Sequence, residues 1–440
     1  MLYPLTPTLS RSAQARQVLL SGQDREREQS DDLHTRFFLF LHKQLANGLT
    51  IIAESWPDAH SVALGAFIKS GARDDALGGS AHFLEHLCFK GQLGQSAQQV
   101  NAGFDAIGAR VDAFTTQELT AYSAATLPQF QTDLLEKLTG LLRPALRPDD
   151  IDVERLVILE ELAMYRDDPG SVLFDAAQAS FYGSHPLGRS VLGTAHSLEL
   201  MDSSALNEHL QDWYAPNRVT IVACGRVDWD ALVAEASKLT ADWQPSIVQR
   251  QYPPLTPSTE GQRLTLSAAR AQAALLMPGF AGNDPRCVTA SLLAQIIGDA
   301  NSRLYWGLVD DGLCDEASLE HTGEDGLGAF YGSLSTDPDD LPEALERYRS
   351  VLRDVQDHGI SQAELSRTKK KLEVSLALRF ETPASRLLTF AEDWLALNEY
   401  RSVADLLEEV RGVTLESVAA LLESRPFDMP CITTLEPLQR

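Results

Sequence analysis

Cysteine is scarce in this sequence and never occurs in a paired motif. The 440 residues contain five cysteines, and none of them belongs to a CxxC motif. This argues against a zinc site made of thiolates and gives no indication of a disulfide framework. Reduced thiols in a cytosol-like compartment are therefore expected. The cysteines are Cys88, Cys224, Cys287, Cys314 and Cys431.

Long apolar runs are also missing. The run FFLFL at 37–41 is far shorter than the roughly 20 residues that a membrane-spanning helix requires. The first 23 residues contain arginines and hydroxyl groups but no acid, and they lack the apolar core of a secretory signal. Their composition is typical of a disordered extension, and weakly of an organelle transit peptide. A soluble, cytoplasmic protein without a membrane partner is expected.

Basic residues are few. Lys and Arg total 37 against 62 Asp and Glu, which gives a formal net charge of −25. A surface this negative repels the phosphate backbone of nucleic acids, so no nucleic-acid partner is expected. The charge favours solubility or cationic partners, and a solvated acidic surface explains the same count without any partner.

The order of the predicted elements divides the chain into two similar halves. Asn47-Gly48 predicts a hairpin, and GGSAHFLEHLCFKG then changes to helical periodicity, with Ser80 as a candidate N-cap. WQPSIVQRQYPPLTPSTEGQR, rich in Pro, Ser and Thr, predicts a linker, after which the elements repeat. We predict an α+β fold of two similar domains, each a mainly antiparallel sheet flanked by helices. The expected segments are a poorly ordered extension over 1–37, a first domain over 38–245, a linker over 246–262 and a second domain over 263–440.

Two histidines and a glutamate lie within five residues of AHFLEHLCFKG, at His82, Glu85 and His86. Residues four apart on a helix share a face, so both imidazoles can reach one ion, and Glu85 lies beside that face. A catalytic zinc usually takes three protein ligands, so a third must come from elsewhere. Taken alone, the pattern is equally typical of a polar helix surface. The matching helix of the second half, SLLAQIIG, has neither His nor Glu, which predicts a single metal site.

A second acidic pattern lies in ERLVILEEL. Glu154 and Glu161 are seven residues apart and share a helix face, while Glu160 points about 100° away. One glutamate of the pair could ligate zinc while the other accepts a hydrogen bond from a ligating histidine. A run of acids on a helix is by itself usually a solvated face. The two patterns together are much more specific to a metal site.

With both motifs in place, the sequence resembles the inverted-zincin peptidases of the pitrilysin type, which include the mitochondrial processing peptidases. HxxEH is the inversion of the HExxH order of thermolysin-like enzymes. The resemblance extends from about residue 38 to the end of the chain. It rests on NGLTIIAE, GSAHFLEHLCFKG, IGARVDAFTTQELTAY, ERLVILEELAMYRDDP, HPLGRSVLGT and WYAPNRVTIVACG.

Carried over by position, the resemblance implies that His82, His86 and Glu161 are the ligands of one zinc ion. It places Glu154 behind a ligating histidine and makes Glu85 the general base. The implied reaction is metal-assisted peptide hydrolysis, in which Glu85 takes a proton from water and passes it to the leaving amine.

The resemblance also implies that the substrate is held as an added β-strand. The matching edge strand contains Asp112, Ala113, Phe114 and Thr115. The family commonly has Asn where this sequence has Asp112. An acid there could favour basic residues or a free amino terminus in the substrate, and the alternative is a polar edge residue without selectivity.

The second half departs from the family pattern. Single-chain members supply an arginine and, seven positions later, a tyrosine that hold the substrate. This sequence has Val309 and Asp315 there, with one residue missing between them. Neither can donate a side-chain hydrogen bond at neutral pH, and the nearby Arg303 is expected to cap or pack its helix. Family chains of this length pair as a clam-shell, and the missing donors favour a zinc-less sister subunit over a homodimer.

The expected function is that of a zinc metalloendopeptidase that hydrolyses peptides or unfolded segments inside a dimeric chamber. A dedicated precursor-processing peptidase subunit is the alternative within the same class. From another class, a non-catalytic assembly subunit remains an alternative, although such subunits usually lose zinc ligands.

Overall fold

The computed structural model describes residues 38–438, and the predicted extension over 1–37 lies outside them. No helix in this part of the chain has both the length and the apolar composition needed to cross a bilayer. The strands are β1 (Leu39–Gln44), β2 (Thr50–Ser55), β3 (Val62–Ile68), β4 (Arg110–Thr115), β5 (Thr120–Thr126), β6 (Val219–Gly225), β7 (Arg263–Leu266), β8 (Ala271–Pro278), β9 (Cys314–Gly323), β10 (Gly328–Thr336) and β11 (Cys431–Pro437). The α-helices are α1 (Ser80–Cys88), α2 (Ala97–Ala106), α3 (Gln131–Leu141), α4 (Pro148–Asp167), α5 (Pro169–Tyr182), α6 (Ala195–Leu200), α7 (Ser203–Trp213), α8 (Trp229–Leu239), α9 (Cys287–Gly298), α10 (Leu341–His358), α11 (Gln362–Arg379), α12 (Pro383–Leu397), α13 (Val403–Gly412) and α14 (Leu415–Leu422).

Within residues 38–438, each half of the chain contains one β-sheet. The first sheet has the strand order β1-β2-β6-β3-β5-β4, and the second has the order β7-β11-β8-β10-β9. Each contains one parallel pair, β2 with β6 and β7 with β11, and its other pairs are antiparallel. The two-domain α+β fold with mainly antiparallel sheets, predicted from the sequence, is confirmed.

The central strands of the first sheet are buried on both faces. All seven residues of β3, VALGAFI, and of β6, VTIVACG, are buried. Continuous apolar runs without alternation are typical of strands that are covered on both sides. Helices of the first half, α1 and α4 among them, cover one face. The other face is covered by α12, which belongs to the second half and contributes Leu387, Phe390 and Ala391 to the shared core.

The second sheet is covered in the same reciprocal way. Helices of its own half, including α9 and α10, pack on one face. Helix α5, from the first half, packs on the other face, where Leu173, Ala177 and Phe181 share a core with residues of β8 and β11. Each half of the chain therefore supplies a helix to the sheet of the other half.

A buried ion pair fixes α12 on the first sheet. Arg386 of α12 and Glu54 of β2 are both fully buried, and Arg386 Nη2 lies 2.8 Å from Glu54 Oε2. The same carboxylate accepts hydrogen bonds from Tyr400 Oη at 2.9 Å and Trp56 Nε1 at 3.1 Å. A buried charge is tolerated when its partner and further hydrogen bonds replace water in this way. Glu54 therefore anchors the second half to the first.

The segment between α8 and β7 contains no helix or strand but is firmly attached. Arg250 is buried and binds Asp74 through Nη2 at 2.7 Å and Asp325 through Nη1 at 3.3 Å. Glu118, beyond β4, forms an ion pair with Arg73 and accepts a hydrogen bond from the backbone N–H of Asp325 at 2.8 Å. The β4–β5 hairpin is thus bonded to the segment and to the second half.

We expect Arg386→Ala to lower the free energy of unfolding by about 3–5 kcal/mol, because it leaves the buried Glu54 carboxylate without its cation. Urea denaturation of the full chain measures the change. Arg411→Ala is the control, since Arg411 pairs with Glu373 at the surface and its loss should have no measurable effect. Equal stability of the two variants would contradict the anchoring role of Glu54.

Candidate metal centre

The two predicted motifs lie on neighbouring helices. Helix α1 buries Phe83, Leu84 and Leu87 in the core of the first half. Helix α4 packs beside it and directs Ile158 and Leu162 into the same core. Because both helices are held by their apolar faces, their polar faces meet at a fixed distance. The metal motif and the distal acids thus come together across the α1–α4 contact.

The start of α1 is held by a carboxylate that the sequence did not reveal. Ser80 was the predicted N-cap, and this prediction is wrong: the helix begins at Ser80, and Gly79 before it has a left-handed φ of 91°. Asp75 accepts the N–H groups of Gly79 at 2.7 Å and Ala81 at 2.9 Å. Burial raises the pKa of Asp75 to about 8, and these hydrogen bonds oppose the rise. The Ser80 hydroxyl instead donates to the carbonyl of Leu77 at 2.5 Å.

Three potential ligand atoms converge between the helices. Glu161 Oε2 lies 3.8 Å from His82 Nε2 and 3.6 Å from His86 Nε2. Ligand atoms of these three residues all lie within 4.8 Å of one another. Glu160, the neighbouring acid, is exposed on the outer side of α4. The structure brings Glu161, and not Glu160, to the two histidines.

These separations fit a shared metal ion better than direct bonds. Distances of 3.6 and 3.8 Å are too long for hydrogen bonds between the side chains. Around a tetrahedral zinc with bonds of about 2.0–2.2 Å, neighbouring ligand atoms are roughly 3.3–3.6 Å apart. Two imidazoles and one carboxylate also form a donor set that zinc prefers. The residues present therefore fit a zinc ion.

His86 is oriented by two residues behind it. Its Nδ1 lies 3.1 Å from Glu154 Oε2, and because a carboxylate only accepts, Nδ1 is the donor. This tautomer leaves the lone pair of Nε2 directed towards Glu161. Glu154 is 1% exposed, and its other oxygen lies 2.5 Å from Lys90 Nζ. Lys90 therefore balances the charge of a buried carboxylate that orients a candidate ligand.

The protonation state of His82 suits metal binding, and burial acts on the two nearby carboxyl groups as well. Burial, and to a lesser extent the neighbouring His86, lowers the pKa of His82 to about 3, so its imidazole is neutral. Burial raises the pKa of Glu161, and His86 opposes that rise. Burial also raises the pKa of Glu85, and a hydrogen bond from Thr115 opposes it. A neutral imidazole is the form in which histidine ligates a metal.

Glu85 is held by the strand that was predicted to bind substrate. Thr115 Oγ1 donates a hydrogen bond to Glu85 Oε2 at 2.6 Å. Thr115 is the last residue of β4, the edge strand of the first sheet, and β4 pairs with β5 on its inner side. An edge strand leaves its outer backbone groups available for an added strand.

The other residues predicted for substrate binding lie on β4 with different surroundings. Asp112 is exposed, and its negative charge contributes to the raised pKa of Glu85. Ala113 lies against the core of the first half, and Phe114 packs against the core that α12 shares with the sheet. The half-buried Phe114 side chain therefore has a packing role.

The second half offers no donor at the positions singled out in the sequence. Val309 packs against the core of the second half, and Asp315 pairs with Arg270 at 2.5 Å. Arg303 is engaged as well, through Glu364 at 2.6 Å and Asp354 at 2.8 Å. These bonds give Arg303 the packing role that the sequence suggested.

Three features of this centre were not read from the sequence. Asp75 lies four and six residues before the amides it binds, and the acid pair in ARDDALGGS was the available signal. Lys90 follows His86 by four residues but lies beyond the end of α1 at Cys88, so helical spacing alone did not single it out. The bond between Thr115 and Glu85 joins residues 30 positions apart and left no local signal.

Two family models match the chain. The model described as insulinase, peptidase family M16, matches residues 50–195. The model described as the inactive domain of peptidase M16 matches residues 201–372. The first range contains the whole candidate metal centre, and the second runs from the end of the first half into the second half as far as residue 372.

Curated relatives and solved structures agree with these matches. An uncharacterized zinc protease of Streptomyces coelicolor is 30% identical over 90% of this chain and 89% of its own length. One of Bacillus subtilis is 29% identical over 85% of this chain and 93% of its own length. A putative M16-like peptidase of Alicyclobacillus acidocaldarius has a similar fold, with a TM-score of 0.81 and 23% identity over 91% of this chain and 99% of that one. A protease of Helicobacter pylori gives a TM-score of 0.83 at 18% identity, over 91% of this chain and 100% of that one. With both halves matched in order, this chain belongs to peptidase family M16.

Proposed function

We propose that this chain is a zinc metalloendopeptidase with His82, His86 and Glu161 as the zinc ligands. The observation that carries the proposal is the convergence of two imidazole nitrogens and one carboxylate oxygen beside Glu85. The relatives named zinc proteases support it. When bound, zinc supplies Lewis-acid polarisation of a carbonyl group and lowers the pKa of water to about 7.

Glu85 serves as the general base and then as the general acid. Its Oε2 already accepts a hydrogen bond from Thr115, so we assign proton uptake from water to Oε1. Burial raises the pKa of this carboxyl group, which brings its proton affinity nearer to that of the groups it serves. The protonated Glu85 then donates to the leaving amine, so that one residue serves as base and acid in turn.

The peptide is held along β4 as an additional strand. The outer edge of β4 ends at Thr115, whose hydroxyl group binds Glu85, so an added strand would pass directly beside the base. Backbone hydrogen bonds give affinity without selecting side chains. The exposed Asp112 adds a negative charge on this path and would favour basic residues or a free amino terminus.

The chamber requires a partner chain. Within the described second half, Val309 and Asp315 offer no donor to a bound carbonyl, and Arg303 is occupied by Glu364. A zinc-less sister subunit that supplies an arginine and a tyrosine would provide the donors, and a second copy of this chain is the other candidate. Because the second half lacks these donors, a dedicated precursor-processing subunit is the second candidate function. A non-catalytic assembly role is disfavoured because the ligand set and Glu85 are present together.

The ligand assignment is tested with two adjacent glutamates. We expect the purified chain to bind one zinc ion. Removing a residue that only hydrogen-bonds a ligand typically weakens metal binding by roughly 10–100-fold, and Glu161→Gln should weaken it by more than that. Zinc content and competition with a chelator measure the affinity. Glu160→Gln removes the same charge from the exposed side of α4 and should leave the affinity unchanged. Loss of zinc in Glu160→Gln alone would overturn the assignment.

A substitution at Glu85 tests metal binding and hydrolysis separately. Glu85→Gln should bind zinc as the natural chain does but lose peptide hydrolysis, because an amide cannot accept the proton. Zinc content and cleavage of a quenched fluorescent peptide, with and without chelator, are measured on the same sample. Full hydrolysis by Glu85→Gln would exclude Glu85 as the base.

Glu154 should influence the metal through His86. We expect Glu154→Ala to lower zinc affinity by about 10–100-fold, since it removes the acceptor that fixes the His86 tautomer. Asp152→Ala is the control, because Asp152 lies on the same helix in a surface pair with Arg155. If the two variants had the same affinity for zinc, the bond between His86 and Glu154 would have no part in holding the metal.

A further inference from the structure

One exposed tyrosine lies a single helical turn beyond the candidate ligand Glu161. Tyr165 belongs to α4, follows Glu161 by four residues and is 46% exposed. Four residues advance about 400° around a helix and about 6 Å along it, so the two side chains leave α4 only about 40° apart. Tyr165 therefore lies on the helix face that carries Glu161 and the buried Glu154 and Ile158.

The last turn of α4 extends past the core of the first half. Leu162 is the last buried residue of the helix, and residues 163–167 are exposed. Because helical side chains lean back towards the N-terminus of the helix, the Tyr165 ring covers the turn that carries Glu161. The phenol group therefore borders the solvent beside the metal centre, on a face that is buried further up the helix.

The charges around Tyr165 agree with this position. Burial raises the pKa of its hydroxyl group, and three carboxylates raise it further, with Glu161 ahead of Asp175 and Asp168. Glu161 is therefore the acid whose charge this hydroxyl group senses most strongly. Within residues 38–438 the hydroxyl group forms no hydrogen bond, so it is available to a bound molecule.

Other donors beside the metal centre are already engaged. Lys90 binds Glu154, and Thr115 donates its hydroxyl proton to a hydrogen bond with Glu85. A phenol has an ordinary pKa of about 10, so at neutral pH it keeps the proton through which it donates. Tyr165 thus offers a neutral donor that a bound peptide can use.

We propose that Tyr165 is a catalytic residue, which donates a hydrogen bond to the oxygen of the scissile carbonyl group as that oxygen gains negative charge. The inference rests on the proposed peptidase function and adds a donor from the first half of the same chain, where Val309 and Asp315 offer none from the second. A carbonyl group bound beside Glu161 would lie within about one helical turn of Tyr165. A donor directed at developing charge stabilises the transition state more than the bound peptide.

Tyr165→Phe removes only the hydroxyl group, and a phosphinic peptide tests the variant without the need for turnover. The tetrahedral phosphinate resembles the transition state of peptide hydrolysis, and such analogues bind more tightly than substrates. We expect the zinc-loaded variant to bind a phosphinic peptide at least roughly tenfold more weakly than the zinc-loaded natural chain. A peptide of the same sequence with a methylene group in place of the carbonyl has no oxygen to accept the hydrogen bond, so it should bind both chains equally. Titration calorimetry measures these affinities.

Tyr252→Phe is the matched control. Tyr252 is 56% exposed, and its hydroxyl group binds Asp325 at 2.9 Å in the segment between the halves, so this variant should bind both peptides as the natural chain does. Competition with a chelator should give the same zinc affinity for all three chains. Weaker zinc binding by Tyr165→Phe would mean that the hydroxyl group acts through Glu161, and it would overturn the proposal. An unchanged affinity for the phosphinic peptide would overturn it as well. A natural chain that binds no zinc would instead contradict the proposed function itself, and this inference with it.

Discussion

Both β-sheets of this protein are apolar on their two faces, and this constraint determines how the halves are joined. A sheet of this kind must be covered twice. Each half covers one face with its own helices and takes a single helix, α12 or α5, from the other half for the second face. The buried pair of Glu54 and Arg386 fixes the first of these exchanges. This packing also determines the geometry of the metal centre, since α1 and α4 lie on the same sheet.

The candidate centre combines rigid positioning with balanced charge. Apolar packing sets the distance between α1 and α4, and Asp75 fixes the start of α1. Lys90 and Glu154 lie behind His86, and Thr115 holds Glu85. Glu154 and Thr115 therefore restrict the rotation of His86 and Glu85. Such restriction lets a metal bind without ordering its ligands first.

Local patterns predicted much of this arrangement, and long-range contacts account for what they missed. The HxxEH spacing and the seven-residue spacing of Glu154 and Glu161 follow from helical periodicity. The exchange of α5 and α12 could not be predicted, because a helix pattern identifies an apolar face but not the surface that it covers. Ser80 was mistaken for a cap because serine is common there, whereas the buried Asp75 accepts the N–H groups of Gly79 and Ala81 from outside the helix.

The reciprocal exchange of helices has a consequence for how this molecule would come apart. A cut in the extended segment around Arg250 would sever the main chain between the halves, yet the two fragments would remain interlocked. Fragment one would retain α5 under the second sheet, and fragment two would retain α12 under the first. The nicked protein would migrate as an intact particle until denaturant separated the pieces. In this chain, a site of cleavage and a boundary of independent folding are different things.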